Sequence, residues 1–262
     1  MADKVTVITG ASSGIGATLA EHLGRDGHRL VLAARREKEL KEVAEKTGSK
    51  ALPVVTDVTR REDIERLRDA ALKEFGQIDV WVNNAGRGIA KEVVELTEED
   101  LDAMLNVNLR SVFYAIQAVV PYFQGRGEGH MINISSFLGR VPIVSSRSAY
   151  NAAKAALIFL TANLRMNLQV THPGVHVSTV MPGTTATDFA KNALGAKSPM
   201  PSRTGGPIQV QTAQEVATVI ASLIDTPVPE IYTSPSLPDL ARNYYENVAA
   251  FEEGIRQRAL NR

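Results

Sequence analysis

The sequence predicts an α/β protein: a doubly wound parallel sheet of about seven strands with helices on both faces. Two observations carry this. Short β-branched runs alternate with longer amphipathic stretches, and the first run ends in a glycine-rich turn that opens a helical pattern. The expected strands are 5–9, 29–34, 51–56, 79–83, 130–135, 175–181 and 230–233. Between them the period becomes helical. Ile64, Leu67, Ala71, Leu72 and Phe75 share one face, and so do Leu101, Met104, Leu105, Leu109, Val112 and Ile116. Parallel strands joined in this way need right-handed crossovers. With no internal repeat or low-complexity linker, residues 1–235 are expected to form one domain.

Composition narrows the function. Lys plus Arg equals 29 and Asp plus Glu equals 29, so the formal net charge is zero and gives no reason to expect nucleic acid or an anionic membrane. The absence of cysteine excludes disulfides, thiolate metal ligands and a cysteine nucleophile. His22, His28, His130, His172 and His176 have no metal-ligand spacing with carboxylates, so no metal is expected, and Trp81 reads as core. Met1-Ala2-Asp3-Lys4 leads straight into Val5-Thr6-Val7-Ile8 without a signal-peptide pattern. No apolar run approaches the roughly 20 residues of a spanning helix. A soluble, cytoplasmic protein is the expectation.

The first strand runs into Thr9-Gly10-Ala11-Ser12-Ser13-Gly14-Ile15-Gly16. Glycines at a strand-to-helix turn let backbone pass close to a dinucleotide pyrophosphate, and the helix N-terminus offers free N–H groups to the anion. A tight turn with no ligand is the alternative; the flanking strand and helix supply the context that favours the phosphate site. The second strand ends Ala34-Arg35-Arg36, with no carboxylate before Glu37. An acidic residue there would hold the ribose 2′-hydroxyl of NAD, whereas arginine accommodates the 2′-phosphate of NADP. NADP(H) is therefore expected over NAD, unless the two arginines merely open a helix into solvent. Further on, Tyr150 and Lys154 lie four apart on one face of a long apolar-periodic helix. A phenol titrates near pH 10, and a neighbouring cation is one physical route to a usable phenolate.

With these motifs in order, the chain resembles the short-chain dehydrogenase/reductase family in its shorter, single-domain branch, whose fold is Rossmann-type. The resemblance runs from about Val5 to Asp188. It covers Thr9 to Gly16, Asp57-Val58, Asn83-Asn84-Ala85-Gly86, Asn108, Ser135-Ser136, Tyr150-x-x-x-Lys154, and Pro182-Gly183 followed by Thr187. It implies that Tyr150 is the general acid in carbonyl reduction and the base in alcohol oxidation. It implies that Lys154 lowers the tyrosine pKa and binds the nicotinamide ribose, that Ser136 polarises the substrate oxygen, and that Asn108 holds a relay water. Cofactor contacts are implied for Gly10, Ser12, Ser13, Gly14, Ile15, Gly16, Arg35 and Arg36, and for Asp57 and Val58 at the adenine edge. They are implied also for Asn84, Ala85 and Gly86 beside the adenine ribose, and for Pro182, Gly183, Thr185 and Thr187 at the nicotinamide end. A homodimer or homotetramer paired through helices 101–117 and 150–168 is the family's habit.

Two departures from the family pattern matter. The separation of Ser136 from Tyr150 is one residue longer than usual, so Ser135 remains an alternative; Ser145, Ser146 and Ser148 suit the loop and the helix N-cap. At the C-terminus, Leu237, Leu240, Tyr244, Val248, Phe251 and Ile255 recur every three or four residues. They describe an amphipathic helix of about five turns within 236–262, packed on its own domain or a partner subunit. Its polar face mixes Glu246, Glu252 and Glu253 with Arg242 and Arg256, unlike the basic excess of membrane-surface helices.

The stretch 187–212 holds Pro199, Pro201, Gly205, Gly206 and Pro207 and is expected to be a substrate lid, with a surface insertion as the alternative. Its Phe189, Ala190, Leu194, Met200 and Pro201 suggest a partly apolar pocket for a carbonyl or alcohol substrate without an anion-binding pattern. The expected activity is NADP(H)-dependent interconversion of a ketone or aldehyde with an alcohol. A non-catalytic NADP-binding sensor is the competing class, and a lyase or isomerase with retained cofactor is a third.

Overall fold

The computed structural model describes residues 3–195 and 209–260. The strands are β1 (Val5–Thr9), β2 (Arg29–Ala34), β3 (Ala51–Val55), β4 (Val80–Asn83), β5 (Gly129–Ile134), β6 (Val175–Met181), β7 (Thr185–Ala186), β8 (Gln211–Thr212) and β9 (Glu230–Tyr232). Seven form one parallel sheet in the order β3-β2-β1-β4-β5-β6-β9, with β7 and β8 paired in a separate parallel ribbon. The sequence expectation of a doubly wound sheet holds, and strand ends agree to within one residue. The order reverses between β1 and β4, and that switch point opens a crevice at the carboxyl ends of the strands.

Both faces are covered. On one, Ile8, Leu32, Val82, Ile132 and Val180 meet α1 (Gly14–Arg25), α2 (Glu37–Lys46) and α7 (Ala213–Asp225) through Leu19, Leu23, Leu40 and Ile220. On the other, Val7, Val31, Trp81, Met131 and Val177 meet α3 (Arg61–Phe75), α5 (Ser111–Arg126) and α6 (Ser148–Thr171) through Leu67, Val119, Phe123 and Leu168. Adjacent strand residues such as Val7 and Ile8 point to opposite faces, so the strands are predominantly apolar at successive positions. Trp81 is fully buried, with its indole N–H on Asn83 Oδ1 at 2.9 Å.

The helix expected through 101–117 is in fact α4 (Glu98–Leu105), a π turn at Asn106–Arg110, and then α5. Side chains compete for the helical carbonyls here: Asn108 Nδ2 donates to Met104 O at 3.0 Å and Ser111 Oγ to Val107 O at 2.8 Å. The run 98–126 is long and apolar enough to span a membrane by length and composition only, a test that buried core helices also meet; here its Val112, Ala115, Val119 and Phe123 are buried against the protein.

The single C-terminal helix expected from periodicity is two, α8 (Leu237–Glu246) and α9 (Val248–Leu260). Asn247 leaves helical geometry at φ −155°, and its side-chain oxygen accepts from Ala250 N at 3.0 Å, capping the second helix. Leu237 and Ala241 pack on Phe137 and Val141, with Tyr244 and Phe251 alongside, so α8 lies on its own domain.

Candidate active site

The turn after β1 is sewn to the end of β4. Thr9 Oγ1 accepts from the backbone N–H groups of Asn84 at 3.0 Å and Ala85 at 3.1 Å, while Asn84 Nδ2 donates to Thr9 O at 2.9 Å. This closeness explains two glycines. A Cβ on Gly10 (φ +69°) would lie 2.8 Å from Ala85 Cα, and one on Gly16 would lie 2.5 Å from Asn84 Nδ2. Ser13, at the N-cap of α1, does not cap it. Arg36 instead donates to Ser12 Oγ at 3.0 Å and Ser13 Oγ at 2.7 Å, placing a guanidinium beside the first turn of α1.

From this point a cavity of about 800 Å³ runs to Tyr150. The expected cofactor residues line it, from Gly10 through Arg35, Arg36, Asp57, Val58, Asn84 and Gly86 to Pro182, Gly183, Thr185 and Thr187, except for Gly16, which lies behind the wall. The site fits a dinucleotide on two counts: a cavity of about 800 Å³ that takes in both the turn after β1 and Tyr150, and N–H groups at the start of α1 that no side chain caps. The Asp57 carboxylate is engaged by Thr59, whose N–H and hydroxyl donate at 3.0 and 2.7 Å. Asp63, not singled out in the sequence, accepts from Asp57 N at 2.9 Å and sets that corner.

At the other end, α6 carries Tyr150 and Lys154 on one buried face, at 7% and 4% exposure. Ser136 follows β5. It lines the cavity with Tyr150, and its hydroxyl accepts from Leu138 N at 3.1 Å. The Ser135 hydroxyl turns away and donates to Lys154 O at 2.9 Å, so geometry brings Ser136, not Ser135, to the tyrosine. Asn108 does not line the cavity. It stands behind Gly86, accepting from Arg87 N at 3.2 Å and donating to Arg87 O at 2.9 Å. Ser148, expected among the capping serines, lies inside α6 with its hydroxyl on Lys91 O at 2.8 Å; the cap position belongs to Arg147.

Burial pushes the Tyr150 hydroxyl above its ordinary pKa, opposed by the Ser136 hydrogen bond and the Arg147 charge. Burial lowers the Lys154 ammonium to about 7. Its Nζ donates to Ile134 O at 2.8 Å and lies 5.8 Å from the Tyr150 ring centre. Sequence reasoning missed Arg147, which lines the cavity at 5% exposure. The available signal was its position one turn ahead of Tyr150. Of the apolar residues expected in the pocket, Phe189 and Ala190 line it, Leu194 packs instead beside Ile89 and Met104, and Met200 and Pro201 fall outside the described residues. The Phe189 ring lies 5.6 Å from that of Tyr150.

A glycine-cradled crevice at the switch point of a parallel sheet, ending at a buried tyrosine, defines a dinucleotide-binding oxidoreductase architecture. The comparisons agree. The short chain dehydrogenase family model matches residues 4–197. An uncharacterised oxidoreductase of Staphylococcus epidermidis is 36% identical over 195 residues, 72% of this chain and 84% of that protein. One from Staphylococcus saprophyticus is 40% identical over 185 residues, 69% and 78% respectively. A short-chain dehydrogenase/reductase of Burkholderia phymatum, solved with NAD, superposes with a TM-score of 0.83 at 28% identity, covering 94% of each chain. An alcohol dehydrogenase of Thermococcus sibiricus, solved with 5-hydroxy-NADP, gives 0.74 at 30%, covering 87% and 95%. This chain belongs to the short-chain dehydrogenase family and is an oxidoreductase built on its nucleotide-binding fold.

Proposed function

We propose that this protein is an NADP(H)-dependent enzyme that interconverts a ketone or aldehyde and an alcohol. The observation that carries the reading is the meeting of Ser136, Tyr150 and Lys154 in the wall of one cavity of about 800 Å³ that also takes in the turn after β1. The bound dinucleotide supplies the hydride. Ser136 orients the substrate oxygen, and Tyr150 gives it a proton in reduction and takes one in oxidation. Lys154 holds the ribose hydroxyls and passes protons toward Tyr150. Asn108, with its amide on Arg87 and Met104, takes no direct part and fixes the π turn behind Gly86. NADP(H) rather than NAD(H) rests on Ala34, small and neutral at the end of β2, and on the adjacent Arg35 and Arg36 beside the phosphate cradle. Assaying NADPH consumption against a panel of aldehydes and ketones tests the activity; no turnover of any member would sink it.

Lys154→Met is expected to reduce dinucleotide affinity and turnover together, because one ammonium serves both; loss of only one would break that double role. The buried lysine also couples folding to pH. Between about 7, where the folded group gives up its proton, and about 10, where the unfolded one does, the unfolded chain binds the extra proton. Wild-type stability should therefore rise with pH across that window, and the methionine variant should lack this contribution. Urea denaturation at both ends of the window measures it.

The stretch 187–212 serves as the lid in this reading, of which 196–208 lie outside the described residues. Support comes from Phe189 against Tyr150 and from the tie of Leu194 N to Gly88 O at 3.0 Å. Its cleavage by protease should slow when cofactor and substrate are bound together. Cleavage that ignores both ligands would make it a surface insertion.

A further inference from the structure

We propose that Arg147 is a positioning residue for Tyr150: its buried guanidinium supplies a permanent positive charge beside the tyrosine hydroxyl, in addition to Lys154. The proposal rests on the catalytic role given to Tyr150 above.

Arg147 stands at the N-cap of α6, one turn before the tyrosine, and is 5% exposed in the wall of the same cavity. It is fixed from the opposite side by the segment after β4. Nη1 donates to Ile89 O at 3.0 Å, and Lys91 bridges to Arg147 with its N–H on Ser146 O at 2.9 Å. A Cβ on Gly88 would lie 2.8 Å from Nη1 and 3.0 Å from Phe189 Cε1, so the guanidinium sits in the corner shared with the ring that covers Tyr150. Burying a guanidinium costs free energy, and packing of its stem alone does not require the charge.

Burial lowers the pKa of the Arg147 guanidinium, and Tyr150 opposes this; in turn the guanidinium favours the phenolate of Tyr150. Lys154, lowered to about 7 by burial, loses its charge as pH rises through neutrality, whereas a guanidinium keeps its own. Above neutrality, Arg147 is the cation that persists. The elements around the site carry other charges: Arg87 and Lys91 after β4, Asp100 and Asp102 on α4, Arg110 in the π turn, Arg140 after β5, and Asp188 and Lys191 after β7. Lys91 is paired with Asp100, Arg140 with Glu230, and Lys191 with Asp188.

The test follows Tyr150 ionisation directly, by ultraviolet absorbance of tyrosinate, with and without oxidised dinucleotide. Subtracting the same protein carrying Tyr150→Phe isolates one of the six tyrosines. In Arg147→Gln and Arg147→Met, Tyr150 should ionise at a pH about one unit higher, a tenfold smaller ionisation constant. Arg147→Lys should recover most of the difference at pH values where the lysine stays charged. Tyr150 titrating as in the wild type in a folded neutral variant would overturn the proposal. Failure of both neutral variants to fold would also overturn it, assigning Arg147 to structure. The titration needs no turnover, so an empty carbonyl screen would remove the proposed reaction and leave this result standing.

Discussion

Replacing Tyr150 by phenylalanine is expected to lower turnover by about two to four orders of magnitude, the usual worth of one positioned proton donor. Dinucleotide binding should remain near wild type. The change removes one oxygen and keeps the ring, so the tilted contact with Phe189 persists and the cavity wall keeps its shape. The electrostatic contribution of Ser136 to the tyrosine hydroxyl is lost. That leaves Ser136 able to orient a substrate oxygen and nothing to protonate it. The residual rate then reports orientation and cofactor placement alone. Comparing kcat and dinucleotide Kd of the two proteins decides the matter. Near-normal turnover would take the proton chemistry away from Tyr150.

The second large effect is on cofactor choice. Ala34→Asp combined with Arg35→Ala is expected to turn a preference for NADPH into one for NADH. Ala34 ends β2 at 8% exposure in the cavity wall, and Arg35 follows it on the same wall. An aspartate there would accept hydrogen bonds from both adenosine ribose hydroxyls and repel a 2′-phosphate. Removing the guanidinium deletes a charge-assisted contact worth roughly 1.5–3 kcal/mol, or about tenfold to a hundredfold in affinity. Arg36, already held by Ser12 and Ser13, would keep part of the phosphate affinity, so the aspartate is the decisive change. Added salt should weaken NADPH more than NADH binding, because the half-exposed arginine site is open to screening. The ratio of kcat/KM for the two cofactors, measured in both proteins, settles it. Equal use of both by the wild type would mean that Arg35 and Arg36 do not read the phosphate.

The sequence by itself determined the sheet. A parallel strand covered on both faces is apolar or small at most successive positions, so β1, β2 and β6 stand out as short runs whose ends can be read to the residue. It also determined the glycine cradle and the Tyr150–Lys154 face, because both depend on short spacings within one turn or one helix. Tertiary structure decided what depends on side-chain direction or on partners far along the chain. Ser135 and Ser136 are adjacent and chemically identical; the fold sends one hydroxyl to Lys154 O and leaves the other, which accepts from Leu138 N, in the cavity wall with Tyr150. Asn108 and Asn247 lie within apolar periods that read as continuous helices. Their amides take up neighbouring backbone groups, opening a π turn in one case and starting a new helix in the other. Arg147 looks in the sequence like one more polar residue among serines. Only the approach of Gly88 and Ile89 buries it beside the tyrosine, a contact across 58 residues that no local pattern records.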